Sequence, residues 1–262
     1  MAREIVDDRM IGALHLRALT HKGLQHDPQG EHVAIQTSTL DALMDGRYEG
    51  DTTIDELLRL GTMGIGTVQF LDGELIVVDG RAFAARHDGR IDELPGDTLT
   101  PFAVVTHFSP SVETEIVNAT FDEMKARIDS YAPVDAPIVA VRMEGEFAAL
   151  KLRSVERQVP PYRHLSDVVD DQIEWSLENA SGVVVGFRFP DAAAGVEVPG
   201  WHLHFLANDF SHGGHIITLD VVSAQVAVDR CDELHVELPS GVSLGEPGAA
   251  NRDMIRKIEG GD

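Results

Sequence analysis

The spacing of apolar residues changes period several times along the chain, and each change marks an element. Residues 1–34 are mostly polar, carry His15, His21, His26 and His32, and read as an N-terminal arm that is loop-like from Gly23 to Gly30. Ser38-Thr39-Leu40-Asp41-Ala42-Leu43-Met44, followed by Gly46, predicts a short helix with a Ser cap and a Gly stop. Thr53-Ile54-Asp55-Glu56 is a capping box that opens a helix over 54–60, ended by Gly61. The period then becomes extended. Strands are expected over 64–71, 74–78 and 81–86, with Asp72-Gly73 and Asp79-Gly80 as hairpin turns and a further turn at 87–90. The apolar run 101–108 suits a buried strand. Thr120-Phe121-Asp122-Glu123 is a second capping box, and predicts a helix over 121–130.

The second half is richer in strands. Segments 138–143 and 146–155 predict a hairpin turning at Glu144-Gly145, and 173–178 and 183–189 predict another around Ser181-Gly182. Pro160-Pro161 breaks the chain, and a short helix is expected over 165–169. Long extended segments at 198–206 and 215–228 flank the polar loop 207–214, and a short strand follows at 233–238. Residues 251–259 read as a terminal helix or tail. Short helices that do not alternate with strands point to an α+β fold with mixed and antiparallel sheets. They argue against a doubly wound sheet or a TIM barrel. With Pro160-Pro161 as the boundary, the expected organisation is an arm (1–34), a mixed-sheet domain (35–158) and a β-rich C-terminal domain with its tail (159–262).

Composition narrows the partners. The chain has 262 residues, with 21 Lys+Arg against 44 Asp+Glu, a formal charge of −23. That balance argues against nucleic acid and anionic membrane surfaces, because both are bound through clustered Lys and Arg. Cys231 is the only cysteine, so no intramolecular disulfide forms, and it reads as a small buried hydrophobe. The N-terminus shows no apolar run of signal length, and no run approaches the ~18 residues of a spanning helix. The expectation is a soluble, cytoplasmic protein.

The strongest chemical signal is Gly200-Trp201-His202-Leu203-His204-Phe205-Leu206, followed by His212-Gly213-Gly214-His215. Side chains alternate faces along a strand, so His202 and His204 share one face while Trp201, Leu203 and Phe205 take the other. The two imidazoles then lie roughly 6–7 Å apart at the backbone. The loop 207–214 reverses the chain and brings His215 onto a return strand beside them. Three His with open positions is the pattern of a catalytic metal, in contrast to a closed four-ligand structural site. His212 competes as third ligand, but it lies inside the loop, and Gly213-Gly214 favours His215. Elsewhere, Arg153 ends an apolar strand and could fork onto a carboxylate or stand as a surface charge. Glu74 sits beside a hairpin turn and Glu259 in the tail. Taken alone, each reads first as a solvated charge, Glu259 more so than Glu74.

Several segments taken in order resemble the acetolactate decarboxylase family. They are the stretch from Ser38 to Gly46 with Tyr48-Glu49-Gly50-Asp51; Gly64-Ile65-Gly66-Thr67 with Leu71-Asp72-Gly73-Glu74-Leu75 and Asp79-Gly80; Thr100-Pro101-Phe102-Ala103-Val104-Val105-Thr106; Gly182-Val183-Val184-Val185-Gly186-Phe187-Arg188; and Val198-Pro199-Gly200-Trp201-His202-Leu203-His204 with Gly213-Gly214-His215. The resemblance implies a zinc-dependent lyase of acetoin biosynthesis that converts (S)-2-acetolactate to (R)-acetoin and CO2. It implies Zn²⁺ on His202, His204 and His215, an active-site arginine at Arg153, an acidic residue at Glu74, a threonine at Thr67 and a second glutamate at Glu259. It also suggests a two-domain fold and a homodimer. Losing CO2 from such a substrate leaves an electron pair that must delocalise into the ketone as an enediolate. A Lewis-acidic ion stabilises that charge, and Glu74 or Glu259 would supply the proton.

Two rivals remain at this level. One is a cupin-type metal oxygenase, because Gly195 to His202-x-His204 with Asp209 is similar to the first cupin motif. The second cupin motif lacks its partners, since only His235 follows His215. The other is a non-catalytic metal-binding or small-molecule-binding domain. The substrate implied by the resemblance is an anion inside an acidic protein, so a local positive focus from metal and Arg153 would be required. The surplus carboxylates would then be a surface property, such as tolerance of high salt.

Overall fold

A computed structural model describes residues 5–20, 22–26, 32–132, 137–242 and 244. In chain order the strands are β1 (Ile5–Ile11), β2 (Leu14–Leu19), β3 (Val33–Thr37), β4 (Thr52–Thr53), β5 (Met63–Thr67), β6 (Glu74–Val78), β7 (Arg81–Ala85) and β8 (Ile91–Glu93). They continue with β9 (Leu99–Thr100), β10 (Phe102–Thr106), β11 (Val112–Thr120), β12 (Ile138–Ser154), β13 (Ile173–Phe189), β14 (Gly200–Ala207), β15 (Gly213–Cys231) and β16 (Glu233–Glu237). Among the described residues, four short helices interrupt them: α1 (Leu40–Met44), α2 (Ile54–Leu60), α3 (Phe121–Asp129) and α4 (Leu165–Val169). The fold is α+β, mostly sheet, with mixed and antiparallel pairing.

A nine-stranded sheet runs β1-β2-β16-β3-β10-β5-β6-β7-β8, and a five-stranded sheet runs β11-β15-β12-β13-β14. Among the strands of the described residues, only β16 pairs in parallel, with β2 and β3 on its two sides. In the smaller sheet β14 also pairs with β15, so β12, β13, β14 and β15 close into a ring. One apolar core fills the space between the sheets, with Ile65, Ile76 and Val104 on one side and Val185, Phe187 and Leu206 on the other. A second core holds Phe147, Leu152, Leu203, Phe205 and Ile216 of the ring, with Met124 and Ile128 of α3. At about 25 cal/mol per Å² of apolar surface, burial on this scale is the main force holding the two sheets together.

The structure changes several local expectations. The stretch expected as an N-terminal arm forms β1 and β2, and β2 buries Leu14, Leu16, Ala18 and Leu19. Strands from both sides of Pro160-Pro161 pair within each sheet. The turn expected at Glu144-Gly145 is absent, because β12 runs straight through it, and β13 likewise runs through Ser181-Gly182. These glycines are cross-strand partners of each other. A Cβ on Gly145 would meet the Ser223 carbonyl at 2.1 Å, and one on Gly182 would meet the Leu206 carbonyl at 2.4 Å. They permit close packing of the ring rather than chain reversal. The strand expected over 64–71 ends at Thr67, and a 3-10 turn at Gln69–Leu71 follows, with Phe70 at φ 66°. The cap of α1 is Thr39, whose side chain accepts from the Ala42 amide, and not Ser38. Both capping boxes form as read, Thr53 with Glu56 and Thr120 with Glu123.

Candidate metal centre and active site

The site lies where the edge of the ring meets the larger sheet. β14 places Leu203 and Phe205 in the ring core and turns His202 and His204 the other way. β15 returns beside it in antiparallel register, with His204 opposite His215. The three imidazoles form one cluster whose candidate ligand atoms all lie within 4.8 Å of one another. Ring centroids are 5.1 Å apart for His202 and His204, 4.9 Å for His202 and His215, and 5.4 Å for His204 and His215. His212, the competing third ligand, is exposed and contacts the Ser211 hydroxyl at 3.0 Å.

The tautomer of His204 follows from its surroundings. Its Nδ1 lies 2.9 Å from the Leu75 carbonyl on β6. A carbonyl only accepts, so Nδ1 carries the proton and Nε2 keeps its lone pair. That bare Nε2 faces His202 Nε2 at 3.2 Å. Two nitrogens bound to one tetrahedral ion at 2.0–2.1 Å lie roughly 3.3–3.4 Å apart, so the pair is spaced as ligands of a shared cation. Burial keeps all three rings neutral. It holds His202 and His215 well below the usual imidazole range, helped by neighbouring His and Arg153 charges. It takes His204 down to about 3 against the opposing bond to Leu75. Neutral, buried imidazoles are the form a metal ion binds.

The other residues carried over from the resemblance converge here, with one exception. Glu74 opens β6 opposite Thr67 on β5, and its Oε2 lies 3.6 Å from His204 Nε2. Burial pushes the Glu74 carboxyl up to about 7, with Arg153 pulling the other way. Arg153 is only 4% exposed, so it is not a surface strand charge. Thr67 donates its hydroxyl to the Gly73 carbonyl at 3.1 Å and so ties the hairpin that presents Glu74. Thr67, Glu74, Arg153, His202 and His215 line one cavity of about 60 Å³, walled by Leu40, Leu43, Leu71, Phe102, Leu165 and Val169 among others. At roughly 10–15 Å³ per water, that space suits a small ligand. Glu259 lies outside the described residues.

Sequence reasoning missed Glu197. This fully buried residue sits with its Oε1 3.6 Å from His202 Nδ1. Its only trace in the sequence is one acid between Val196 and Val198, just ahead of the His-x-His strand. The apolar wall was equally hidden, because α1, α4 and β10 meet only in the folded chain.

The profile of one family, alpha-acetolactate decarboxylase, matches residues 35–245. The chain belongs to the alpha-acetolactate decarboxylase family. An alpha-acetolactate decarboxylase of Methylococcus capsulatus is 38% identical over 252 residues, covering 95% of this chain and 96% of that relative. One from Klebsiella aerogenes is also 38% identical, over 216 residues, covering 80% of this chain and 81% of the other. The crystal structure of alpha-acetolactate decarboxylase from Bacillus subtilis strain 168 superposes with a TM-score of 0.80 at 31% identity, covering 87% of this chain and 99% of that one. As a member of this decarboxylase family the chain is an enzyme of the lyase class. Among the described residues, no helix is long and apolar enough to cross a membrane.

Proposed function

We propose that this chain decarboxylates (S)-2-acetolactate to (R)-acetoin and CO2, with a zinc ion held by His202, His204 and His215. The observation that carries the reading is a cluster of three buried, neutral imidazoles, two of which, His202 and His215, line the same small cavity as Arg153 and Glu74. The donor set fits zinc, since three His leave a position open to substrate and no cysteine is near. When bound, the ion supplies Lewis acidity toward the negative charge that develops on the substrate oxygens as CO2 leaves.

The chain's own groups do the rest. Arg153 holds the departing carboxylate and orients its C–C bond. Glu74 keeps a proton near neutral pH because it is buried, and gives it to the carbon that lost CO2. Leu75 fixes the His204 tautomer through its carbonyl, and Thr67 braces the turn below Glu74. The apolar wall of Leu40, Leu43 and Phe102 keeps bulk water off the electron-rich carbon. Glu259 is a second candidate acid. A chain shortened after Asp253 that keeps full turnover removes it from the mechanism.

The deciding experiment incubates purified protein with racemic acetolactate, then repeats it after chelator treatment and again after zinc is returned. Chelator-sensitive acetoin restored by zinc is expected. Absence of acetoin throughout overturns the reading, and tight metal without acetoin supports the non-catalytic rival. The cupin-type alternative is not favoured, because His235 lies on β16 in the other sheet, with its Nε2 2.8 Å from Glu233. The family resemblance also supports a cytoplasmic homodimer with two domains in each subunit. A sedimentation mass near twice 28.5 kDa tests the dimer.

A further inference from the structure

We infer that Glu197 is a positioning residue that holds His202 in its metal-binding tautomer. The inference rests on the proposal that the three His share a metal ion. His204 shows how the site solves the same problem once. Its Nδ1–H is given to the Leu75 carbonyl, which leaves Nε2 bare and aimed at the shared point. His202 Nε2 faces that point too, so its proton must sit on Nδ1. The group on the Nδ1 side is the Glu197 carboxylate, with Oε1 at 3.6 Å. That carboxylate stands within ion-pair range of Nδ1 and offers an acceptor for its proton.

The backbone around Glu197 is fixed independently of the histidine. The Glu197 amide donates to the Ala193 carbonyl at 3.0 Å. The Val196 carbonyl accepts from the Leu40 amide at 2.9 Å and from the fully buried Gln36 side chain at 2.8 Å. The Asp41 amide reaches the Gly195 carbonyl at 3.0 Å. The carboxylate is therefore delivered from a pinned segment rather than a mobile loop. A carboxylate beside the second nitrogen of a ligating imidazole orients the ring and raises the basicity of the ligating nitrogen. The two anchors also differ in kind. A backbone carbonyl holds His204, whereas a carboxyl group stands beside His202.

The test compares wild type, Glu197→Gln and Glu197→Ala, each stripped of metal and titrated with zinc against a chromophoric chelator. Cobalt(II) loading gives a parallel readout in its visible ligand-field bands. Outer partners of this kind are worth about 10–100-fold in metal affinity. Glu197→Gln keeps the side-chain volume and removes the charge, so zinc binding is expected to weaken by roughly that factor, with shifted cobalt bands and an unchanged fold by circular dichroism. Zinc affinity within twofold of wild type together with unchanged cobalt bands overturns the assignment. Should the variants fail to fold, the wild-type protein labelled with ¹⁵N-histidine and loaded with zinc decides it. His202 must show a protonated Nδ1 and a metal-bound Nε2, and the opposite tautomer overturns the inference. If wild type binds no zinc at all, the metal reading falls and this inference falls with it. If wild type binds zinc and Glu197→Gln binds equally, only Glu197 loses its role.

Discussion

Arg153 and His215 are cross-strand partners in the β12–β15 ladder, and the same His215 faces His204 across β14. Three adjacent strands therefore carry a guanidinium and two imidazoles side by side, on the rigid wall of a closed ring. An Arg in this place presents a planar fork that a Lys cannot copy. Arg153→Lys should lower kcat/KM for acetolactate about 10- to 150-fold, the equivalent of losing a charged hydrogen bond worth roughly 1.5–3 kcal/mol. Zinc content should stay unchanged. Steady-state kinetics with metal analysis checks this, and a variant with wild-type kcat/KM removes Arg153 from carboxylate binding.

Glu74 is separated from Arg153 in sequence but shares its cavity, and Oε2 approaches His204. If it delivers the proton, Glu74→Gln should lose on the order of 10²–10⁴ in kcat, the usual worth of a general acid. Metal affinity should change little, since Glu74 is not among the three clustered ligands. Full activity in this variant would transfer the proton to another group, with Glu259 as the next candidate.

The histidine cluster was legible because it depends on local rules. Alternation along β14 fixes the shared face of His202 and His204, and the short Gly-rich return sets His215 beside them. The capping boxes at Thr53 and Thr120 were legible for the same reason, as each involves residues three apart. What escaped was long-range. The pairing of β2 with β16 joins the two ends of the chain, and polar residues around β1 concealed it. The burial of Arg153 and Glu74 exists only once the ring docks on the larger sheet, and nothing in their flanking residues reports that docking. Gly145 and Gly182 misled because a glycine beside a small or acidic residue signals a turn, whereas here it signals crowding.

That crowding has a measurable consequence. Gly182→Ala would place a methyl 2.4 Å from the Leu206 carbonyl and 2.5 Å from the Phe205 ring. Both neighbours belong to β14, three or fewer residues from His204, so the strand must shift to accept it. Overpacking of this kind costs about 1–3 kcal/mol. Thermal or urea unfolding should show that loss, and zinc affinity should fall with it. Gly182 lies within extended β13 and not in the left-handed region, so the cost there comes from crowding and not from φ. A Gly182→Ala variant as stable as wild type would deny the crowding.

The buried imidazoles also set a pH dependence for the metal-free protein. Burial lowers the His204 pKa to about 3, while an unfolded histidine titrates near 6.5. A depressed pKa means the unfolded chain takes up the proton first as pH falls. The contribution of His204 to stability is therefore complete above about pH 6.5 and is lost as pH falls toward 3. By pH 5 the loss from this one group approaches about 2 kcal/mol. Glu74 acts in the opposite sense, because its raised pKa favours the folded state below the unfolded value of 4.5 and loses that advantage as pH rises through about 7. Acidification also relieves repulsion in a chain of charge −23, so the total change mixes several signs. Comparison with His204→Gln isolates the term. Between pH 7.5 and 5, chelator-treated wild type should lose more unfolding free energy than chelator-treated His204→Gln, by an amount of that order. Equal losses in urea titrations of the two proteins would mean that His204 titrates alike folded and unfolded, and that its burial does not hold it neutral for the metal.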